Sequence, residues 1–139
     1  MPTRRSFIHS LLPVAAVALS LLSGCDSGPL VSAVHGKVTL DGKPLPNATL
    51  VFTPEKAGRS SLGRTNDAGE YKLLFNSDKD GAIVGTTRVR ITVAEEYTDS
   101  RDRSRMRPEL VPAKYNEQSE LVVEVEPKDN EINFDLLSK

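Results

Sequence analysis

Four arginines stand out among the residues able to do chemistry, because they recur at every second position of one short segment. Arg101, Arg103, Arg105 and Arg107 lie between residues 94 and 119, a connection that is long for a link between strands. An extended backbone would present their guanidinium groups on one side, where such groups bind phosphate or carboxylate oxygens in pairs. Because acidic residues are interspersed among the arginines, a solvated loop of mixed charge is the alternative. The spacing predicts an anion-binding loop, with that alternative left open.

Other residues that could support catalysis or metal binding are sparse. Asp78 and Asp80 precede Gly81 and resemble half of a calcium-binding loop, but the later ligands are missing and Lys79 adds positive charge. We therefore interpret that segment as a simple turn rather than a calcium site. His35 is the one histidine beyond the N-terminal leader, so it has no second histidine with which to share a metal ion. We therefore expect no enzymatic activity, no bound metal and no cofactor.

The single cysteine of the 139-residue chain carries the most specific signal. It follows a basic start and an apolar run over residues 11–22. This run has the length of the hydrophobic region of a secretory signal and is too short for the roughly 20 residues that cross a bilayer. Residues 22–25, with the sequence Leu-Ser-Gly-Cys, resemble the lipobox of bacterial lipoproteins, where a peptidase cuts before a diacylated cysteine. We expect removal of residues 1–24 and lipidation of Cys25; a plain secretory signal is the alternative.

Such processing predicts a location as well as a modification. Residues 25–33 would form the lipidated cysteine and a short tether, and residues 34–139 would form the folded domain. We expect the protein to be exported and anchored in a membrane through Cys25, on the periplasmic or outer surface of the cell envelope. The adjacent Arg4 and Arg5 also resemble a twin-arginine signal, and the sequence leaves the export route open.

Charge excludes one class of partner. The chain has 18 basic and 19 acidic residues, and two of the basic residues, Arg4 and Arg5, lie in the leader. The remainder therefore carries 16 − 19 = −3. Nucleic-acid binding draws most of its affinity from a basic surplus, so we expect no nucleic-acid partner.

The elements that position these residues are strands. Apolar and polar residues alternate with period two, which places one face of a strand in a core and the other in water. The alternating runs cover residues 34–40, 48–53, 61–65, 71–75, 89–93, 121–125 and 132–136. Turn-forming residues separate them, and no sustained helical stripe occurs. The pattern predicts a β-sandwich of about seven strands with four aromatic rings in its core: Phe52, Tyr71, Phe75 and Phe134.

The order of these motifs resembles the carboxypeptidase regulatory-like domain, which has a transthyretin-like fold. The likeness lies in residues 38–52, 63–71 and 81–90, while residues 111–116 and 130–136 are similar to the ends of small lipoproteins from planctomycete-type bacteria. It covers residues 34–137. The resemblance implies an all-β, seven-stranded Greek-key sandwich without catalytic activity.

Together these features predict a non-catalytic, membrane-anchored lipoprotein with a binding or structural role in the cell envelope. Its partner would be an envelope protein or a polysaccharide. A carbohydrate-binding accessory module is the alternative function, although the chain has no tryptophan. Tyr97 and Tyr115 are the only plausible residues for stacking on a sugar, since the other aromatic rings beyond the leader belong to the predicted core.

Overall fold

Residues 27–139 are described by a computed structural model, and the predictions for the signal peptide and Cys25 lie outside these residues. The described chain is all-β, with no α-helix and one 3-10 helix, Ala113–Tyr115. The strands are β1 Val31–Ser32, β2 Val34–Leu40, β3 Lys43–Pro44, β4 Thr49–Pro54, β5 Ser61–Arg64, β6 Glu70–Asn76, β7 Lys79–Asp80, β8 Ala82–Ile83, β9 Gly85–Thr92, β10 Glu95–Thr98, β11 Ser104–Arg107, β12 Val122–Val125, β13 Asn130–Glu131 and β14 Phe134–Leu136. Within this range no helix is long and apolar enough to cross a membrane.

Each of the seven alternating runs contains a strand. They correspond to β2, β4, β5, β6, β9, β12 and β14, which confirms the all-β class. The remaining strands have two to four residues, and the alternation did not predict them.

Ten of the strands form one sheet. Its main path runs β12-β9-β4-β5-β6-β2-β13, with β3 and β14 also paired to β2 and β7 paired to β6. The pairings are antiparallel except those of β13 and β14, which run parallel to β2. Two small sheets, β1-β8 and β10-β11, lie beside it.

The large sheet curls back on itself. Phe52 on β4 and Phe134 on β14 have ring centroids 6.1 Å apart, although β5, β6 and β2 separate their strands in the hydrogen-bonded order. Four strand spacings in a flat sheet would separate these two residues by roughly 19 Å. The contact therefore requires the concave face of the sheet to close around a shared core.

The core consists mainly of the predicted inward positions, and every member of its buried cluster lies between Val34 and Leu136. Phe52, Tyr71 and Phe134 are buried as expected. The prediction for Phe75 is wrong, because this ring is only partly buried. The pairing of β6 with β7 shifts between Leu74 and Asn76, and such a bulge turns the intervening side chain away from the regular inward direction.

Candidate functional site

The segment that carries the four arginines is a hairpin rather than an open loop. Strands β10 and β11 pair with each other in register from Glu95 opposite Arg107 to Thr98 opposite Ser104, and with no other strand of residues 27–139. The chain reverses between Asp99 and Arg103, where the Asp99 N–H donates to the Arg103 carbonyl at 2.9 Å. The expected continuous extended row is therefore interrupted by a turn.

Asp99 organises this turn. Its Oδ1 accepts hydrogen bonds from the main-chain N–H groups of Arg101 at 2.8 Å and Arg103 at 3.1 Å. Its Oδ2 accepts from the Arg103 guanidinium at 2.9 Å and from Nε of Arg105 at 3.1 Å. These bonds, with that from the Arg103 side chain the strongest, lower the pKa of Asp99 from 3.8 to about 2. The carboxylate therefore stays ionised and keeps two guanidinium groups together.

Glu95 connects the hairpin to the large sheet. Its carboxylate lies 2.7 Å from Nη2 of Arg64 on β5 and 3.0 Å from Nη1 of Arg107 on β11. The hydrogen bond from Arg64 is the main reason that the pKa of Glu95 is lowered. The Arg107 guanidinium also lies over the ring of Tyr97, 5.2 Å from its centroid. A continuous series of contacts therefore connects β5 to one face of the hairpin, through Arg64, Glu95, Arg107 and Tyr97.

The carboxylate of Glu109 links the two ends of the hairpin, and its hydrogen bonds are called the clamp below. Its carboxylate accepts hydrogen bonds from the Thr92 hydroxyl and from the main-chain N–H groups of Val93 at 3.2 Å, Ala94 at 3.4 Å and Val111 at 2.9 Å. Burial by itself would raise the pKa of Glu109, but these bonds outweigh it and the pKa is lowered. One carboxylate therefore joins the residues before β10 to those after β11.

Three of the four predicted arginines take part in ion pairs. Arg103 and Arg105 share Asp99, and Arg107 pairs with Glu95. No ion pair to the Arg101 side chain occurs within the described part of the chain. Each guanidinium has five N–H donors, so a phosphate or carboxylate can bind the donors that the two acids leave available. The hairpin can thus present a fixed cluster of guanidinium groups, and the anion-binding role stays a prediction.

The acidic residues and Arg64 were not predicted as parts of this site. Asp99 lies four residues before Arg103, a spacing at which an aspartate side chain can accept hydrogen bonds from the turn that follows it. This spacing was the signal available in the sequence. No local signal links Arg64 to Glu95, since 31 residues separate them.

The two residues predicted to stack on a sugar each lie beneath a cation. The Arg107 guanidinium is 5.2 Å from the Tyr97 ring centroid, and Nζ of Lys114 is 5.0 Å from that of Tyr115. Cations hold such positions by attraction to the ring face. One face of each ring is therefore covered by a cation, and the carbohydrate-binding alternative stays a prediction.

The half-loop resembling a calcium site forms the hairpin between β6 and β7. Asn76 lies opposite Lys79, and Asp80 makes an ion pair with Lys72. His35 is exposed, and its Nε2 lies 3.4 Å from Asp129 Oδ2. Residues 27–139 contain no group of three or more histidine, cysteine, aspartate or glutamate side chains placed to hold a metal ion.

Comparison with known proteins gives little beyond this geometry. No protein-family model matches the chain, and no curated protein matches it. The chain is similar to part of the crystal structure of a 9R-lipoxygenase from Cyanothece PCC8801, with 14% sequence identity and a TM-score of 0.43. The similar region covers 78% of this chain and 16% of the lipoxygenase chain, and a likeness of this size carries no argument about function.

Proposed function

We propose that this chain is a non-catalytic, lipid-anchored protein of the cell envelope that binds phosphate or uronate groups through the hairpin β10-β11. The observation that carries the proposal is the cluster of guanidinium groups on Asp99 and Glu95, held on a hairpin that pairs with no other strand of residues 27–139. Fixed guanidinium groups favour oxyanions that can accept two parallel hydrogen bonds, such as phosphate and carboxylate groups. Both anionic lipid headgroups and acidic polysaccharides carry such groups.

The anchor would keep this binding element close to a membrane. Cys25 is six residues before β1, which begins at Val31. Six extended residues reach at most about 20 Å, so a lipid on Cys25 would hold the domain against the bilayer. The resemblance to carboxypeptidase regulatory-like domains supports the same role, since it implies a β-sandwich without catalysis.

Fractionation of cells tests the anchor. We expect the wild-type protein in the membrane fraction, with the mature N-terminal cysteine carrying a lipid mass. The variant Cys25→Ser should leave the membrane fraction or accumulate as the uncut precursor, while the neighbouring change Ser27→Ala should have no effect. A mature wild-type N-terminus without lipid would refute the anchor.

Binding to anionic ligands tests the hairpin. Replacing the four arginines, residues 101, 103, 105 and 107, with lysine preserves the charge but removes the guanidinium geometry. We expect this variant to lose binding to acidic envelope polysaccharide and to phosphatidylglycerol vesicles, and we expect the same of the corresponding serine variant.

A matched control changes four lysines elsewhere, Lys56, Lys79, Lys114 and Lys128, to serine. This variant should keep its binding if guanidinium geometry matters more than net charge. Full binding by the arginine-to-lysine variant would show that the hairpin supplies only general charge, and full binding by the serine variant would exclude the hairpin as the binding element.

A further inference from the structure

A row of four side chains crosses the outer face of the large sheet. Arg90 lies opposite Val51, Val51 opposite Leu62, and Leu62 opposite Leu74, on the adjacent strands β9, β4, β5 and β6. The two leucines are 54% and 53% exposed. Single exposed leucines are common, but two in direct register beside a third apolar residue form a continuous apolar strip.

Most of the charged residues on the four strands of this strip are basic. The outward charged residues of β4, β5, β6 and β9 are Arg64, Glu70, Lys72, Arg88 and Arg90. Their sum is 4 − 1 = +3, whereas residues 27–139 as a whole carry 16 basic and 18 acidic residues, or −2. The outward charged residues of these four strands are therefore mainly basic, while Asp80 of β7 lies opposite Leu74 at one end of the row.

Three of these cations have acidic partners on neighbouring segments, and the partner of Lys72 is Asp80 on the adjacent strand β7. Arg64 pairs with Glu95 of β10, and Arg88 lies 3.5 Å from Glu55 in the loop after β4. The two arginine side chains remain 50% and 52% exposed. Exposed ion pairs contribute only about 0–1 kcal/mol, so phosphate groups at a surface can compete for both guanidinium groups.

The N-terminal tether ends beside the same strands. The Gly81 N–H donates to the carbonyl of Leu73 on β6, and a Cβ on Gly81 would lie 2.0 Å from the carbonyl oxygen of Ser32. Ser32 belongs to β1, the first strand after the tether. Seven extended residues from Cys25 to Ser32 span at most about 24 Å. The strip therefore lies within reach of any membrane that holds Cys25.

We propose that the outer face of β4, β5, β6 and β9 lies on an anionic phospholipid bilayer, with Leu62 and Leu74 entering the headgroup region and the surrounding arginines contacting lipid phosphates. An apolar strip bordered by basic residues is the pattern of an interfacial membrane surface. The strip is one side chain wide, while a stable protein partner needs about 800 Å² on each side. The inference extends the proposed function, since the anchor brings this face to the bilayer.

Sedimentation with lipid vesicles tests the face without the anchor. Residues 27–139 contain the complete buried cluster, so this segment is used as an unlipidated protein. We expect it to bind vesicles of equal phosphatidylglycerol and phosphatidylcholine, and to bind phosphatidylcholine vesicles much less. The double variant Leu62→Glu, Leu74→Glu should lose about tenfold or more of its vesicle affinity, because both the apolar contact and the local positive charge are removed.

A control variant separates the face from a general charge effect. Leu110→Glu with Leu137→Glu changes two other exposed leucines and the same net charge, and it should retain binding. Equal losses in the two variants, or no binding by the wild-type segment, would overturn the proposal. The wild-type segment could instead self-associate, and the Leu62 and Leu74 variant alone could abolish that self-association. This result would also overturn the proposal and would show that the face binds a second copy of the chain. Because the segment lacks Cys25, these outcomes do not depend on whether the anchor exists.

Discussion

The Tyr71 hydroxyl donates a 2.6 Å hydrogen bond to the main-chain carbonyl of Ile132, 61 residues further along the chain. Gly36 of β2 lies directly opposite Tyr71 in the sheet. A Cβ at Gly36 would lie 1.9 Å from the same carbonyl oxygen. The absent side chain of Gly36 therefore lets the segment between β13 and β14 approach β2 and receive the tyrosine hydroxyl. Burial of the ring raises the pKa of Tyr71 above its usual value.

The variant Tyr71→Phe tests this hydrogen bond. It leaves the partner carbonyl without its donor, and we expect a loss of about 1–3 kcal/mol in the free energy of unfolding. Denaturant titration measures the loss. Tyr115→Phe is the control, because the Tyr115 hydroxyl accepts only a 3.3 Å bond near the C-terminus from the Leu137 N–H. Equal losses in the two variants would contradict a special role for the bond to Ile132.

Gly36→Ala tests the close approach itself. The new methyl group would overlap the Ile132 carbonyl, and displacing that segment should cost about 1–3 kcal/mol, as overpacking of a core does. Gly28→Ala is the matched control, since no atom lies within 4 Å of a Cβ at that position. Thermal unfolding compares the two variants, and an unchanged midpoint for Gly36→Ala would show that the strands separate without cost.

Phe134→Ala tests the contact that closes the sheet. The ring is buried and packs 6.1 Å from Phe52 and 6.3 Å from Tyr71, between centroids. Removing it should cost about 3–5 kcal/mol. The same change at the partly buried Phe75 should cost clearly less, which denaturant titration can measure. A larger loss at Phe75 would mean that the core lies elsewhere.

Much of the fold was predictable, because the alternation of apolar and polar residues along a strand directly reflects which side chains are buried. The inward positions of β2, β4 and β9 follow the apolar parity of the sequence, as in Val34 and Val38. Phe75 has the same parity but lies at a bulge, and the pattern of apolar residues carries no information about such a shift in pairing. The parallel pairing of β14 with β2 was not predicted either, because it joins residues about 96 positions apart, such as Thr39 and Asp135.

The hairpin was not predictable by the same reasoning. Both of its strands are largely exposed, so no alternation of apolar and polar residues marks them. The arginine spacing drew attention to the segment, yet the turn at Asp99 and the clamp at Glu109 depend on hydrogen bonds from main-chain N–H groups. Those bonds require the chain to fold first. The candidate segment was therefore chosen from its arginine spacing, and its shape depends on contacts that this spacing does not encode.

Glu109→Ala tests the clamp at the base of the hairpin. Without its carboxylate, the N–H groups of Val93, Ala94 and Val111 lose their acceptor, and the hairpin should open more often while the core stays intact. We expect amide exchange across β10 and β11 to accelerate about tenfold or more, which corresponds to about 1.4 kcal/mol. Glu117→Ala, a nearby exposed carboxylate, should leave this exchange unchanged. Global unfolding of the Glu109 variant would show that the clamp supports the whole domain.

Acid titration tests the cluster on Asp99. Because the pKa of this carboxyl falls from 3.8 to about 2 on folding, its bonds to the arginines stabilise the hairpin fully above about pH 4. That contribution should disappear as the pH falls toward 2, and carboxyl NMR signals should give the midpoint. Arg103→Gln should raise the pKa of Asp99 toward 3.8, since the Arg103 side chain is its main partner. Arg101→Gln should leave it unchanged, because Arg101 contacts Asp99 only through its main-chain N–H. An unperturbed midpoint in the wild-type protein, or equal shifts in both variants, would mean that the guanidinium groups are not held by Asp99 in solution.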